Sequence, residues 1–157
     1  MKTKLDFFIP LSIAAKDLLE GLRDKRQDHT NLVFPSPKNP QKPISENTMR
    51  QLLQTHIPGA TVHGMRANFR TWARETARAP DDIAEVALAH SIGSKTVIAY
   101  NRTDLFDERA LIMEKWAMWL DGEWDWFDSH MTPQELDEEI KKRLLGPDYL
   151  DHYGEEG

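Results

Sequence analysis

The chain has 157 residues, of which 39% are hydrophobic and 29% charged, and it contains no cysteine. This length predicts one domain, and the absence of cysteine excludes disulfides, thiolate metal sites and a cysteine nucleophile. No apolar run approaches the ~20 residues that span a bilayer, and Asp6 and Pro10 interrupt the N-terminal apolar stretch, so no signal peptide is predicted.

The net charge of −6 is unevenly distributed along the chain. Residues 1–120 carry 17 basic and 14 acidic side chains, a net of +3, whereas residues 121–157 carry 3 and 12, a net of −9. This asymmetry indicates two parts of the chain: a body that can bind a polyanion, followed by an acidic appendage. A neutral body with a solvating tail explains the same charges, because +3 is a basic patch only if the cations cluster on one face.

The first half of the chain predicts a strand over 4–11, helices over 12–23 and 46–56, and a surface loop over 35–43. Pro10 ends the strand. Ser12 and Ser45 are the expected N-caps of the two helices, because a serine oxygen accepts from an unpaired amide of the first turn. The loop is predicted from four prolines in nine residues.

The second half predicts helices over 63–78, 81–90, 104–120 and 132–145. Four arginines at four-residue spacing form a stripe on the first of them: Arg66, Arg70, Arg74 and Arg78. The last helix begins with a capping box at Thr132. Its narrow apolar stripe is better suited to docking against another surface than to forming a hydrophobic core of its own: Leu136, Ile140 and Leu144. The predicted fold class is therefore mainly α with a small β element (α+β).

Candidate chemistry rests on Lys2, the pair His63 and Arg66, His90, and Tyr100. Taken singly, each has a structural explanation. A terminal lysine is usually solvated, a histidine at a helix end suits the helix dipole, and a tyrosine among apolar neighbours is usually a core residue.

The order and spacing of these residues resemble the catalytic domain of the tyrosine recombinases, in particular bacteriophage-type integrases of prophages and genomic islands. In that family an H-x-x-R motif precedes an L-x-H motif and then a nucleophilic tyrosine. Here Arg66 lies 24 residues before His90, and Tyr100 follows 10 residues later. Upstream, Lys2 stands eight residues before Pro10, where the family places its catalytic lysine. The resemblance covers roughly residues 2–120.

The resemblance implies DNA strand exchange through a 3′-phosphotyrosyl intermediate, a reaction that requires no metal or cofactor. Tyr100 would be the nucleophile, Arg66 the phosphate clamp, His63 and His90 the proton-managing donors, and Lys2 the general acid. Further contacts to DNA are expected from the start of the second helix and from the arginine stripe: Asn47, Thr48, Arg50 and Arg70.

The resemblance also implies a double-stranded attachment site, a homo-tetramer on DNA, and a cytoplasmic location in a bacterium or phage-infected host, with no membrane and no small-molecule substrate. Residues 1–126 would be a partial catalytic domain. Residues 127–157 would be a C-terminal helix and acidic tail that neighbouring protomers can exchange.

One family residue has no counterpart, because the first catalytic arginine lies upstream of the lysine and only Met1 precedes Lys2. We therefore expect a C-terminal piece of a longer integrase, truncated on its N-terminal side and weakly active or inactive alone. Two alternatives stay open: a catalytically dead DNA-binding or protomer-interaction module of the same fold, and a small helical protein-interaction domain whose histidines and tyrosine are structural.

Overall fold

The computed structural model describes residues 8–26, 30–89 and 105–146. Within these ranges the chain is mainly helical with one small antiparallel sheet, which confirms the predicted fold class. The helices are α1 (Ile13–Gly21), α2 (Glu46–His56), α3 (Val62–Glu75), α4 (Asp81–Ala87), α5 (Phe106–Leu120), α6 (Trp124–His130) and α7 (Pro133–Leu145), with a 3-10 helix at Arg23–Lys25 and strands β1 (Pro35–Ser36) and β2 (Asn39–Pro43). None of the described helices is both long and apolar enough to cross a membrane.

Helix starts follow the predicted caps. The hydroxyl of Ser12 accepts from the amide of Ala15 at 3.2 Å, and that of Ser45 accepts from the amide of Thr48, also at 3.2 Å. At Thr132 both halves of the capping box form. These caps satisfy amides that the first helical turn leaves without an intrahelical partner.

The strand predicted over 4–11 is wrong over its described part, because residues 8–11 are irregular. Residues 4–7 lie outside the described residues. The physical reason lies at Phe8, whose carbonyl accepts from the guanidinium of Arg109 at 2.8 Å. A side chain, rather than a neighbouring strand, satisfies that backbone group.

The loop predicted over 35–43 is instead a β-hairpin, so that prediction is wrong. Pro35 pairs with Pro43, Ser36 pairs with Asn39, and the amide of Ile44 extends the pairing to Phe34 at 3.0 Å. Proline lacks the amide that a central strand needs. In a sheet of two strands each strand has one unpaired edge, which tolerates the missing donors.

The hydrophobic core of the described part of the chain lies within residues 69–140. One cluster joins α3, α4 and α5, and the other joins α5, α6 and α7. Their buried members are Phe69, Trp72, Ala73, Ala84, Leu88 and Ile112 in the first, and Met118, Trp124, Phe127, Leu136 and Ile140 in the second. In contrast, the buried residues of the described segments 8–26 and 30–65 are Pro10, Ser12 and Thr30.

The apolar stripe of α7 packs in cis. Leu136 and Ile140 are buried against α5 and α6, with exposed fractions of 3% and 0%. The stripe therefore belongs to the second core cluster of its own chain, although the sequence favoured a docking role. Exchange of this helix between protomers stays a prediction.

Two helices end earlier than predicted. α4 ends at Ala87 rather than at residue 90, and α3 ends at Glu75 rather than at residue 78. Ala89 and Arg78 have φ angles of 55° and 50°, in the left-handed region that stops a right-handed helix. Arg78 therefore lies beyond α3, and the predicted stripe of four arginines is shortened to three.

Candidate functional site

Arg66 connects α3 to the end of α4. Its Nη2 donates to the carbonyl of Leu88 at 2.5 Å, across 22 residues of sequence. The Arg66 side chain is half-buried, and Leu88 is part of the first core cluster. The structure thus brings the arginine of the H-x-x-R motif to the leucine of the L-x-H motif.

The turn after α4 gives this bond its acceptor. Leu88 is the C-cap residue, and the amide of Ala89 closes a tight turn onto the carbonyl of Val86 at 2.8 Å. Carbonyls in the last turn of a helix lack intrahelical partners, so the Leu88 carbonyl is available to a guanidinium. Arg66 donates to this carbonyl and so fixes the backbone at Leu88, two residues before position 90.

His63 lies on the first turn of α3, three residues before Arg66, so the two share a helix face. Its side chain is exposed. The turn is fixed by Thr61, whose hydroxyl accepts from the amide of Gly64 at 2.9 Å. A Cβ at position 64 would lie 3.1 Å from that hydroxyl oxygen, so this motif fits a glycine closely.

The remaining predicted catalytic residues, Lys2, His90 and Tyr100, lie outside the described residues. Their roles and their distances from Arg66 stay predictions. Among the residues that are described, no group of three histidine or acidic side chains could hold a metal ion.

Arg70, predicted to contact DNA, pairs with Glu85 of α4 at 2.7 Å. Its side chain is 62% exposed, whereas that of Glu85 is 22% exposed. The ion pair bridges α3 and α4 beside the bond between Arg66 and Leu88. A carboxylate at this distance offsets part of the charge that Arg70 could present to a phosphate.

The other predicted DNA contacts lie on the first turns of α2 and are exposed. Arg50 donates to the side-chain oxygen of Asn47 at 3.0 Å, and the hydroxyl of Thr48 lies 2.9 Å from that of Ser45. These bonds order polar groups at a helix N-terminus, where the helix dipole favours anions.

Sequence reasoning missed two buried charges on α5. Arg109 is 0% exposed and bonds the Phe8 carbonyl, and Glu114 is 5% exposed and accepts from the amide of Ile13 at 2.8 Å. Together they fasten the segment before α1 and the first residue of α1 to the body of the protein. Their burial could have been predicted from their position on α5. Each lies three or four residues from apolar side chains that face the core, and therefore on the same helix face.

The chain is similar to several curated integrases. Prophage integrase IntA of Escherichia coli K12 is 32% identical over 119 residues, covering 74% of this chain and 28% of the relative. The integrase of Shigella phage Sf6 is 32% identical over 123 residues, covering 77% and 32%. The integrase of Enterobacteria phage P4 is 33% identical over 147 residues, covering 90% and 33%.

The chain thus spans about a third of the length of these curated relatives. No family model matches the chain. No solved structure matches it.

Proposed function

The chain belongs to the phage and prophage integrase family, and from that premise we propose that it supplies part of the centre that cleaves and rejoins DNA in site-specific recombination. The reaction proposed is transesterification through a 3′-phosphotyrosyl intermediate. Its substrate is a double-stranded attachment site, on which several copies of the protein assemble as a tetramer.

The observation that carries this proposal is the bond between Arg66 and the Leu88 carbonyl at 2.5 Å. Two motifs that are 22 residues apart meet through it. Because His90 follows Leu88 by two residues in the sequence, a clamp at Arg66 and a donor at His90 are expected on the same side of the α3–α4 pair.

The proposed chemistry assigns one task to each side chain. The phenolic oxygen of Tyr100 attacks the scissile phosphorus, and the bond from phosphorus to the 5′ oxygen breaks. The guanidinium of Arg66 offers planar donors to the non-bridging oxygens as negative charge develops on them. Lys2 gives its proton to the leaving 5′ oxygen, and His63 and His90 donate to the phosphate or take the tyrosine proton.

Rejoining is the reverse of this step. A 5′ hydroxyl attacks the phosphotyrosyl phosphorus, the phenolic oxygen leaves, and the proton returns along the same groups. The bond free energy is kept in the covalent intermediate, so no nucleotide cofactor is needed. Around the cut site we propose backbone contacts from Arg70 on α3 and from the first turn of α2, through Asn47, Thr48 and Arg50.

The test is trapping of the covalent adduct on a nicked DNA duplex, from which the cleaved strand diffuses away. A shift in mobility that resists denaturation and disappears in Tyr100→Phe is the expected result. Because the chain spans about a third of its relatives, the trapping is done with this chain and with the chain extended upstream by the corresponding part of phage P4 integrase.

Three outcomes separate the readings. An adduct that depends on Tyr100 supports recombinase chemistry. Salt-dependent DNA binding without an adduct from either protein supports a binding module that has lost the chemistry. If neither DNA binding nor an adduct is detected, the proposal is contradicted and a helical interaction domain is favoured.

A further inference from the structure

Positive charge concentrates in a part of the fold that the proposed catalytic centre does not use. Residues 21–45 contain five basic side chains and two acidic side chains, Asp24 and Asp28, a net of +3 in a protein whose total is −6. We call the five basic residues the basic surface, and all are exposed: Arg23, Lys25, Arg26, Lys38 and Lys42.

We propose that the basic surface is a second DNA-binding site, which holds the phosphodiester backbone of the duplex away from the point of cleavage. This inference rests on the proposed function, because it takes the same duplex as its ligand. It adds a groove and a hairpin that precede α2. Neither the H-x-x-R and L-x-H motifs nor the similarity to integrases assigns them a role.

The groove lies between the 3-10 helix and the segment that leads into the hairpin. It encloses about 270 Å³, and the charged residues of its lining are Arg23, Lys25 and Arg26. Arg26 reaches across it and donates to the side-chain oxygen of Asn31 at 2.9 Å, which fixes one wall against the other. Three of the nine lining residues are cations and most of the others are apolar. Cations grouped at a concave site raise the local concentration of a polyanion.

The hairpin carries the other two cations on a stiff backbone. Among the described elements, β1 and β2 pack extensively only with each other, so the hairpin projects from the body instead of serving its core. Its four prolines fix φ at four of nine positions. Lys38 lies at the turn and Lys42 on β2, and a rigid carrier lowers the entropy cost of immobilising a flexible chain on a ligand.

Continuity with the proposed DNA contacts supports this ligand over others. Pro35 of β1 lines the same groove as the three cations, and Ser45, the cap of α2, lies two residues beyond the end of β2. Along the chain, the basic surface is thus followed directly by the helix start that carries Glu46, Asn47 and Arg50. A duplex contacted at that start would pass along the hairpin.

The test measures binding of the chain to a fluorescent duplex by anisotropy across a range of salt concentrations. One variant is Arg23→Gln/Lys25→Gln/Arg26→Gln, and a second is Lys38→Gln/Lys42→Gln, which changes two exposed side chains. The matched control is Lys141→Gln/Lys142→Gln on α7, which removes two charges from the acidic half of the chain. Circular dichroism checks that each variant is folded.

Both basic-surface variants are expected to bind about tenfold more weakly near physiological salt, whatever the DNA sequence. The slope of log K against log salt should become shallower by about 0.9 for each phosphate that the variant no longer neutralises, and the control should bind like the unmodified chain. Unmodified affinity in both variants, alongside weaker binding by Arg50→Gln or Arg70→Gln, overturns this inference and leaves the proposed function standing.

Two further results also decide the question. If the unmodified chain does not bind duplex DNA, this inference is overturned, whereas the proposed function is decided separately by adduct trapping with the chain extended upstream. If poly-glutamate of matched charge displaces the duplex as well as unlabelled DNA does, the basic surface takes acidic polypeptides and the assignment to DNA is overturned.

Discussion

The carboxylate of Glu114 accepts a hydrogen bond from the amide of Ile13 at 2.8 Å, joining residues 101 positions apart in the chain. Glu114 is 5% exposed, and Ile13 is the first residue of α1. A buried carboxylate here binds the start of a helix, where unpaired amides and the dipole favour negative charge. The described segments before α3, which bury few side chains of their own, are held to the second half of the protein partly by this bond.

Glu114→Ala should therefore loosen the attachment of α1. Hydrogen bonds to charged groups contribute about 1.5–3 kcal/mol, so the free energy of unfolding is expected to fall by about that amount in urea titrations. Glu138→Ala, which removes an exposed glutamate from α7, should change it by less than about 0.5 kcal/mol. Equal effects of the two substitutions would show that the bond to Ile13 does not stabilise the fold.

Ile140→Ala tests whether α7 belongs to the core of its own chain. Ile140 is 0% exposed, and truncation of a buried isoleucine costs about 2–5 kcal/mol. Leu120→Ala is the control, because Leu120 is 57% exposed. If Ile140→Ala leaves the monomer as stable as the control does but weakens assembly on DNA, the helix functions in exchange between protomers.

Glu85→Gln should strengthen binding of the chain to DNA. The substitution removes the carboxylate that lies 2.7 Å from Arg70 and releases that guanidinium for phosphate. We expect a gain of a few fold at low salt that fades as salt rises. The gain should vanish in the double variant Glu85→Gln/Arg70→Gln, and its persistence there would contradict the link to Arg70.

The start of α7 should depend on pH through its capping box. The hydrogen bond from the backbone amide of Thr132, and then the one from its hydroxyl, lower the pKa of Glu135 below the ordinary value of 4.5. The stabilisation is therefore present in full above pH 4.5 and is lost as the pH falls through the lowered pKa. Helicity measured by circular dichroism should report the loss.

Glu135→Gln should remove that part of the pH dependence. Glu108→Gln is the matched control, since Glu108 also lies in the first turn of a helix, α5, but that helix has no side-chain cap. If both variants titrate like the unmodified chain, the capping box does not contribute to the acid transition.

Local chemistry made the helix starts predictable. A hydroxyl at Ser12, Ser45 or Thr132 needs only the three residues that follow it to form a cap. The ends of α3 and α4 were less predictable, because Arg78 and Ala89 take a left-handed conformation that neither residue type favours on its own. Backbone hydrogen bonds close the two turns, from the amide of Ala79 to the carbonyl of Ala73 and from the amide of Ala89 to that of Val86, both at 2.8 Å.

A long-range polar contact accounts for the absence of the predicted strand at residues 8–11. The bond from Arg109 to Phe8 joins residues 101 positions apart, and no periodicity within either segment indicates it. At 35–43 the four prolines predict a loop, whereas a sheet of two strands leaves free edges at which proline fits. Within the candidate site, the hydrogen bond from Arg66 to the Leu88 carbonyl joins the H-x-x-R and L-x-H motifs that the sequence singles out. The positions of Lys2, His90 and Tyr100 stay predictions.

The uneven placement of the core has a spectroscopic consequence. All five tryptophans lie between residues 72 and 126, and the rings of Trp72, Trp116, Trp119 and Trp124 form one chain of neighbours no more than 6.2 Å apart between centroids. Residues 8–65 contain neither tryptophan nor tyrosine. Intrinsic tryptophan fluorescence will therefore report unfolding of the aromatic half of the protein. It will not change when the groove and hairpin unfold separately.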